Sequence, residues 1–282
     1  MVDNMKIVKS DSAFSRDAGR ILTKVDSCDR QRLSVMIDSY PGNTYLAYNM
    51  GFPVGLVCSE AYYGRSRAEF CMFVMPDYRR RGIGTDLFAQ IAEHSRMQGT
   101  KTLVCCLRNN SEYSGFVLKQ GFIKKYSSFH MSFSGATPVI EDSFERYDDS
   151  MFFDFVKAEA KAFLPIRLKT GAEPSVIQPT ENVRSFLSKA SDSYYVLRED
   201  NGRIIAGAGC YRGKISDVFV DEDFRRKGIG RKLVERCIDH CRKSGFENIS
   251  LTVVAENEPA VSLYSSIGFK TEKVEDYYTK NI

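Results

Sequence analysis

Two glycines lie in a run of basic residues that reads Arg225-Arg226-Lys227-Gly228-Ile229-Gly230-Arg231. The apolar run Val218-Phe219-Val220 comes before it, and an amphipathic segment, residues 233–241, follows it. The pattern predicts a strand, a glycine loop and a helix. Glycine lets an anion approach the backbone without meeting a Cβ, and the helix N-terminus adds partial positive charge. The basic side chains add full charges, so the chemistry indicated is the binding of a pyrophosphate.

The hydroxyl of Tyr264 is the second group that could do chemistry. A tyrosine with a reference pKa of about 10 carries its proton at neutral pH, so it can protonate a leaving group. A tyrosine on a short helix is more often a core aromatic, so the chemical interpretation depends on the residues around Tyr264.

The basic glycine loop occurs twice in the chain. Arg79-Arg80-Arg81-Gly82-Ile83-Gly84 precedes the same kind of helix, and Arg79 and Arg225 are 225 − 79 = 146 positions apart. Further along, Gly121-Phe122 matches Gly268-Phe269 at 268 − 121 = 147, a one-residue insertion. A period this long indicates two copies of a domain rather than a solenoid of short repeats.

The composition restricts the class of protein. A chain of 282 residues, 43% hydrophobic and 27% charged, has the balance of a soluble globular protein and room for two domains. The net charge of +4 gives no general support to a nucleic-acid or membrane partner. The eight cysteines form no C-x-x-C pair and no metal-ligand spacing, so we predict no metal. Without an apolar leader or membrane-length stretch, the expected location is the reducing cytoplasm.

The elements around the first loop are a long helix and a set of strands. Apolar spacing predicts a helix over residues 12–36, a hairpin of residues 44–49 and 54–59, and a strand over 69–75 that enters the loop. A helix over 85–98 follows the loop.

The second copy repeats this order. We expect a first helix over residues 152–164, a hairpin at Asn201-Gly202, the strand 214–220 and the helix 231–244. The segment 171–180 is either a lid over the site or an ordinary connection. The division predicted is a first domain at 1–134, a linker at 135–150 and a second domain at 151–282.

Both copies resemble the GNAT superfamily of acyl-CoA N-acyltransferases. The family's loop, Gln/Arg-x-x-Gly-x-Gly/Ala, is matched from Arg225 and again from Arg79. Its downstream pattern, Asn-x-x-Ala-x-x-Leu-Tyr-x-x-x-Gly-Phe, is complete in the second copy as Asn257, Ala260, Leu263, Tyr264, Gly268 and Phe269. The resemblance covers most of the chain. It implies an α/β fold of two tandem domains, each a mostly antiparallel twisted sheet flanked by helices, with a splayed strand pair at the CoA site.

The resemblance also implies a site in the second copy. Acetyl-CoA would be the acyl donor, a backbone N–H of the strand before the loop would polarise the thioester carbonyl, and Tyr264 would protonate the leaving thiolate. Asn257 resembles the residue that hydrogen-bonds the pantetheine arm. The expected CoA-binding residues of this copy are Val218, Phe219, Val220, Arg225, Arg226, Lys227, Gly228, Ile229, Gly230, Arg231 and Asn257.

The general base is less defined. Many family members use a carboxylate on the strand before the loop, and Asp217 is the acidic residue within 214–220. Glu256, Tyr277 and Tyr278 are other candidates, and an amine that enters deprotonated needs no base.

The first copy departs from the pattern where chemistry would occur. Asn110 matches Asn257 at the 147 offset, but Tyr113 replaces Ala260 and Val117 replaces Tyr264. We therefore expect this copy to be non-catalytic, and either to hold CoA or only to support the fold. Its expected CoA-binding residues are Phe73, Val74, Arg79, Arg81, Gly82, Ile83, Gly84 and Asn110.

Several functions remain to be weighed. The first is an N-acetyltransferase acting on a primary amine of a small molecule or peptide, as a monomer or homodimer. The second is a non-catalytic acyl-CoA-binding protein or sensor, which the loss of the tyrosine at Val117 would suit. Nucleic-acid binding is disfavoured by the modest net charge, and a dinucleotide-binding Rossmann fold lacks its third glycine in both loops.

Overall fold

The computed structural model describes residues 5–10, 14–62, 66–140, 144–172 and 176–282. Its strands are β1 (Met5–Lys9), β2 (Thr44–Asn49), β3 (Phe52–Tyr62), β4 (Arg67–Val74), β5 (Thr102–Arg108), β6 (Ile123–Phe133), β7 (Glu145–Arg146), β8 (Tyr194–Arg198), β9 (Ile204–Tyr211), β10 (Lys214–Val220), β11 (Ile249–Val254) and β12 (Phe269–Asn281). Its helices are α1 (Phe14–Leu22), α2 (Ser27–Ser39), α3 (Ile83–Met97), α4 (Ser114–Lys119), α5 (Phe152–Thr170), α6 (Glu181–Lys189), α7 (Ile229–Lys243) and α8 (Glu258–Ile267).

The chain forms two compact units, Met1–Lys124 with Tyr277–Ile282, and Lys125–Asp276. In the first, the strand order is β1-β2-β3-β4-β5, followed by the end of β12. Pairing is antiparallel from β1 to β4 and parallel between β4 and β5. Successive side chains of a strand face opposite sides of the sheet, so β3 serves two cores: Val57 packs in the core with α3, and Leu56 in the core with α1 and α2.

The second unit has the order β6-β11-β10-β9-β8-β7, with the first part of β12 beside β6. Strands β10 and β11 are parallel, and the pairs from β7 to β10 and between β6 and β11 are antiparallel. One face of the sheet carries the core with α7, and the other carries the core with α5. The mixed, mostly antiparallel α/β architecture predicted for both copies is confirmed.

Part of the last strand of each sequence repeat lies in the other repeat's unit. Residues 125–133 of β6 belong to the second unit, where residues 128–133 pair with β11, although the sequence division ends the first domain at residue 134. Residues 277–282 belong to the first unit, where the Ile282 N–H donates to the Lys101 carbonyl at 3.0 Å. The repeat offset shows which segments of the two copies correspond to each other. It does not show which strand the last strand of each copy pairs with.

The helices differ from the prediction near their ends. The single helix expected over residues 12–36 is two helices, broken at residues 23–26, where the Asp26 carboxylate accepts from the Asp29 N–H at 3.3 Å. Residues 11–13 lie outside the described part. Helix α5 continues past residue 164 through Pro165 to Thr170. Helix α6 was not predicted, and its cap is Thr180, whose hydroxyl accepts from the Val183 N–H.

Two sequence interpretations fall partly outside the described residues: the linker at 135–150 contains residues 141–143, and the suggested lid at 171–180 contains residues 173–175. None of the helices in the described ranges is long and apolar enough to cross a membrane.

Candidate active site

The two glycine loops share one backbone conformation. In the second copy, Arg226 has φ +63° and Gly228 has φ +81°, directly before α7. In the first copy, Arg80 has φ +62° and Gly82 has φ +84°, directly before α3. Arginine rarely adopts the left-handed backbone conformation. Its presence at the same position of both loops shows that the two copies agree in backbone torsions as well as in sequence.

The glycines at the two positions of each loop have different neighbours. A Cβ at Gly228 or Gly82 would meet no atom within 4 Å, so positive φ and open space define this position. A Cβ at Gly230 would lie 3.2 Å from Cδ2 of Leu263 on α8, and one at Gly84 3.4 Å from Cε2 of Phe116 on α4. The first glycine therefore leaves room above the loop, and the second lets a neighbouring helix approach.

The N-termini of α7 and α3 are open. No side chain of the described residues caps either helix, and the first turn of α7 contains no acidic residue. Unpaired first-turn N–H groups beside an open loop can bind an anion.

Some arginines of the loops are held by hydrogen bonds within the protein, and another is exposed. The Arg225 Nε–H donates to the Val220 carbonyl at 3.0 Å, and the Arg79 Nε–H donates to the Val74 carbonyl at 3.1 Å. Each arginine thus ties its loop to the preceding strand. Arg231 donates to the Ser266 hydroxyl at 2.7 Å. Arg226 is exposed and remains available to an anion.

A cleft opens beside the strand that enters each loop. Parallel pairing of β10 with β11 covers only Lys214↔Ser250 and Ile215↔Leu251, although β10 runs to Val220. In the first unit, β4 and β5 pair only as far as Glu69↔Val104, although β4 runs to Val74. The last residues of both strands therefore present their edge to the gap, as the predicted splay requires.

A β-bulge in β10 distinguishes the second copy. Ser216 pairs with Gly209 and Phe219 with Gly207, so Asp217 and Val218 together oppose one residue of β9. Asp217 has φ +54°. Bulges bend a strand and redirect a side chain. Strand β4 pairs with β3 in continuous register over residues 67–74, and its residue at the 146 offset from Asp217 is Cys71.

The bulge brings the Asp217 carboxylate to two hydroxyl groups. The Tyr194 hydroxyl donates to Asp217 Oδ2 at 2.5 Å, and the Ser216 hydroxyl donates to the same oxygen at 3.0 Å. Tyr194 is fully buried, and burial together with the Asp217 charge raises its pKa. The phenol therefore keeps its proton and acts as a hydrogen-bond donor.

A glycine makes this contact possible. Tyr194 on β8 pairs with Gly209 on β9, and Gly209 pairs with Ser216 on β10. A Cβ at Gly209 would lie 2.2 Å from Cζ of Tyr194. The tyrosine ring therefore lies across β9 at a position where β9 has no side chain, and its hydroxyl reaches the third strand.

Glu159 of α5 is a site residue that the sequence analysis missed. It is 7% exposed and close enough to Asp217 for the charge of that carboxylate to act on it. Burial, and then the Asp217 charge, raise the pKa of Glu159 to about 8, while Arg167 lowers it. The signal was present, because Glu159 occupies the i+7 position from Phe152 on the buried face of the helix, a position that normally holds an apolar residue.

Tyr264 lies in the core of the second unit. It is 7% exposed, and its ring packs edge-on against Phe269 with centroids 6.0 Å apart. Burial, and then the nearby Cys237 and Asp217, raise its pKa. Asn257 directly precedes α8, and its backbone carbonyl accepts from Ala260 at 3.0 Å.

The other candidate bases are divided between the two units. Tyr277 and Tyr278 belong to the first unit, where Tyr278 packs in the core with α3. Glu256 is in the second unit, where one oxygen of its carboxylate is buried without a hydrogen-bond partner.

In the first copy, the position that corresponds to Tyr264 holds an apolar residue. Val117 is 3% exposed and packs in the core with α3. The Tyr113 hydroxyl accepts a hydrogen bond from the Arg79 guanidinium at 2.9 Å. Asn110 has φ +60°. Across the described ranges of both units, no group of histidine, cysteine, aspartate or glutamate side chains is arranged to hold a metal ion.

Family models match both repeats. The model "Acetyltransferase (GNAT) domain" matches residues 41–124, and the model "Acetyltransferase (GNAT) family" matches residues 154–269. The chain is 39% identical over 100 residues to the [ribosomal protein bS18]-alanine N-acetyltransferase of Escherichia coli, covering 34% of this chain and 68% of that protein. It is 30% identical over 100 residues to an uncharacterized N-acetyltransferase of Methanocaldococcus jannaschii, covering 32% of this chain and 44% of that protein.

Solved structures match the whole chain. A GCN5-related N-acetyltransferase from Sphaerobacter thermophilus has a TM-score of 0.72 at 16% identity, over 100% of this chain and 96% of that one. A tandem GNAT protein from the clavulanic acid biosynthesis pathway has a TM-score of 0.64 at 13% identity, over 99% and 98%. At these identities the likeness concerns the fold. The two matched domains and the related sequences establish that the chain belongs to the GNAT family of acetyltransferases.

Proposed function

We propose that the second copy transfers an acetyl group from acetyl-CoA to a primary amine. The observation that carries the proposal is the combination, within one compact unit, of the open glycine loop, the bulged strand beside a cleft, and the buried Tyr264 hydroxyl. Each part meets one demand of acyl transfer from a thioester.

The loop would hold the donor. The pyrophosphate of CoA lies over Gly228, against the first N–H groups of α7, with Arg226 adding charge. The free edge of β10 around residues 218–220 supplies an N–H to the thioester carbonyl. An N–H already fixed in place stabilises the charge that develops on that oxygen without reorganisation.

Tyr264 would complete the transfer. The amine attacks the carbonyl carbon, the C–N bond forms and the C–S bond breaks. The thiolate of CoA then takes the proton of the Tyr264 hydroxyl. The raised pKa of Tyr264 keeps that hydroxyl protonated before the reaction. Asp217 would serve as base for the incoming amine.

The acceptor is not defined by the donor site. The relative from Escherichia coli carries the name of an alanine N-acetyltransferase of ribosomal protein bS18, which makes an alanine-initiated peptide a reasonable first acceptor. A lysine-containing peptide and ethanolamine extend the test to side-chain and small-molecule amines.

Calorimetric titration with acetyl-CoA tests the donor site. Gly228→Glu should abolish binding at the second copy, because the new carboxylate fills the phosphate position and repels it. The matched control is Gly202→Glu, since Gly202 has φ +85° and open space like Gly228 but lies in the β8–β9 turn. Retained binding in Gly228→Glu would remove the loop from the donor site.

The same titration addresses the first copy. Its loop has the torsions and the open space of the second, which favours a second acetyl-CoA site that lacks catalytic groups. Two sites in the wild type, with one lost in Gly82→Glu and turnover retained, would assign a binding role to this copy. A single site, unaffected by Gly82→Glu, would assign it a structural one. Binding at both loops without turnover of any amine would instead favour the acyl-CoA sensor.

A further inference from the structure

A hydroxyl, an imidazole and a carboxylate form a row of hydrogen bonds across three strands of the second unit. Thr252 of β11 is the register partner of His130 on β6, and its Oγ1 lies 3.4 Å from Nδ1 of the imidazole. The other ring nitrogen, Nε2, lies 2.7 Å from Oε2 of Glu275 on β12. All three residues belong to the unit Lys125–Asp276. A nucleophile, a base and a group that orients the base have this order in enzymes that form covalent acyl intermediates.

The carboxylate determines which nitrogen of the imidazole can act as a base. The hydrogen bond from His130 lowers the pKa of Glu275 to about 2, although burial opposes this shift. The carboxylate is therefore charged and can only accept hydrogen bonds. In the neutral imidazole the single proton is then on Nε2, which donates it to Glu275. The lone pair of Nδ1 faces the Thr252 hydroxyl, so this tautomer can take the hydroxyl proton.

The row is closed at the carboxylate and open at the hydroxyl. Glu275 is 8% exposed, and its Oε1 lies 2.5 Å from the Lys273 ammonium, which holds the carboxylate in place. The His130 side chain is partly exposed, and Thr252 is exposed. A ligand can therefore reach the hydroxyl, while the charge that orients the imidazole stays out of water.

The row meets the cleft of the second unit at Thr252. Leu251 is the last residue of β11 that pairs with β10, and Thr252 follows it directly. Leu251 packs in the core with α7, so Thr252 faces the opposite side of the sheet. The thioester proposed above lies against the free edge of β10 around residues 218–220. The Thr252 hydroxyl is therefore at the end of the cleft where β10 and β11 separate.

We propose that the second unit also hydrolyses acetyl-CoA, with Thr252 as the nucleophile that carries the acetyl group as an ester. His130 is the base, and Glu275 is a positioning residue that acts through His130. The proposal rests on the donor site proposed above, but the reaction needs no amine. Its substrate class is a short-chain acyl thioester of CoA, and its second substrate is water.

The hydrolysis has two steps. In the first, Nδ1 of His130 takes the Thr252 proton, Oγ1 forms a C–O bond with the thioester carbon, and the C–S bond breaks. The imidazolium passes its proton to the thiolate, which leaves as the thiol of CoA. In the second step, a water molecule gives a proton to Nδ1 and forms a C–O bond with the ester carbon. The bond to Oγ1 breaks, and Oγ1 takes that proton back. Acetic acid leaves and ionises, so acetyl-CoA and water give acetate, a proton and CoA.

A neighbouring hydroxyl on the same face has no imidazole beside it in its register pair. Ser250 lies two residues before Thr252 and pairs with Ser132 of β6, whose hydroxyl donates to Glu272. Ser250 is exposed, as Thr252 is, and faces the same side of the sheet. It therefore offers a matched control for an exposed hydroxyl outside the row.

The test is the release of CoA thiol from acetyl-CoA with no amine present, followed with a thiol reagent. The wild type should release thiol, and Thr252→Val should release it about 100-fold more slowly, because the base then has no hydroxyl to activate. Thr252→Ser keeps a hydroxyl at this position and should retain the hydrolysis. Ser250→Ala is the control and should behave as the wild type.

Mass spectrometry of acid-quenched and digested protein identifies the ester. The peptide that contains Thr252 should carry one acetyl group in the wild type and none in Thr252→Val. His130→Gln and Glu275→Gln should release thiol about 100-fold more slowly. Calorimetry should show that both variants keep the acetyl-CoA affinity of the wild type, which they would lose if the row only supported the shape of the cleft.

The outcomes separate this proposal from the amine transfer. A wild type that binds acetyl-CoA but releases no thiol, or carries no acetyl group at Thr252, overturns the hydrolysis and leaves the amine transfer intact. Thiol release that persists in Thr252→Val overturns the assignment of the nucleophile. Hydrolysis through Thr252 without acetylation of any amine supports the row and overturns the proposed transfer. A wild type that binds no acetyl-CoA overturns both.

Discussion

Tyr264 carries its hydroxyl into an apolar core, and this burial raises its pKa. The phenol therefore stays protonated throughout the pH range of an assay, so it should add no alkaline limb to the rate profile. The sequence pattern from Asn257 to Phe269 made this residue the candidate proton donor, because six residue types at fixed spacing are a specific signal.

Tyr264→Phe should lower kcat about 100-fold while leaving the affinity for acetyl-CoA within about twofold, because a proton donor contributes to the chemical step alone. Steady-state kinetics and calorimetry measure the two quantities. Tyr211→Phe, an exposed tyrosine of the same unit, is the control. Unchanged turnover in Tyr264→Phe would remove this residue from the mechanism.

Glu159 should make the stability of the protein depend on pH. Its pKa in the folded state is raised to about 8, so between the unfolded value near 4.5 and pH 8 the folded state binds more protons than the unfolded state. Its contribution to stability is therefore present at low pH and is lost as the pH rises through this window.

The stability of the Glu159→Gln variant should be less sensitive to that rise in pH. The free energy of unfolding of the variant, relative to the wild type, should increase from pH 5 to pH 8, by at most about 1.4 kcal/mol per pH unit. Urea denaturation at several pH values measures this. A constant difference across the window would mean that Glu159 titrates at its ordinary pKa in the folded protein.

The sequence predicted less about the partners of these residues than about the residues themselves. Asp217 was predicted as a candidate base because it is the acidic residue of its strand. The direction of its side chain, however, depends on a β-bulge that no local sequence pattern predicts. Tyr194 reaches it across β9, from a position 23 residues earlier in the chain. Contacts of this kind depend on strand pairing, which residue spacing does not encode.

At the scale of elements, the loop and its helix were the most predictable part. Their glycines need particular torsions, and the following helix has an unbroken apolar face. Helix α6 and the break between α1 and α2 were missed because polar caps within mixed segments give weak local signals.

The packing of the Tyr194 ring of β8 against β9 should depend on Gly209. An alanine there would place a methyl group against the Tyr194 ring, so Gly209→Ala should destabilise the protein by about 2 kcal/mol. In a Tyr194→Ala background the ring is gone, and the penalty should disappear. A double-mutant cycle by chemical denaturation measures the coupling. Equal penalties in both backgrounds would contradict the close contact.

A tyrosine–histidine pair occurs in both units and was not part of the sequence argument. The Tyr45 hydroxyl lies 3.2 Å from Nδ1 of His94, and the Tyr195 hydroxyl lies 2.8 Å from Nδ1 of His240. Burial lowers the pKa of both histidines. The histidines are 240 − 94 = 146 positions apart, so both copies keep this contact, whereas Tyr264 of the second copy is matched by Val117 in the first.

At the scale of the whole molecule, residues 277–282 should stabilise the first unit. Tyr278 is buried in its core, and the Lys280 ammonium donates to the Gln120 carbonyl at 2.5 Å. Tyr278→Ala should cost about 3 kcal/mol. Removal of 277–282 should reduce hydrogen-exchange protection first in β4, β5 and α3. Loss of protection confined to β8–β10 would contradict the assignment of these residues to the first unit.

The membership of residues 277–282 has a consequence for synthesis on the ribosome. Strand β5 ends at Arg108, and Tyr277 follows 277 − 108 = 169 positions later. At about 5–20 residues per second, the nascent first unit waits roughly 10 to 30 seconds for the strand that completes it. During that interval the edge of β5 is unpaired, and such edges recruit foreign strands. Chaperone demand during translation should therefore come from the first half of the chain, although the proposed chemistry belongs to the second.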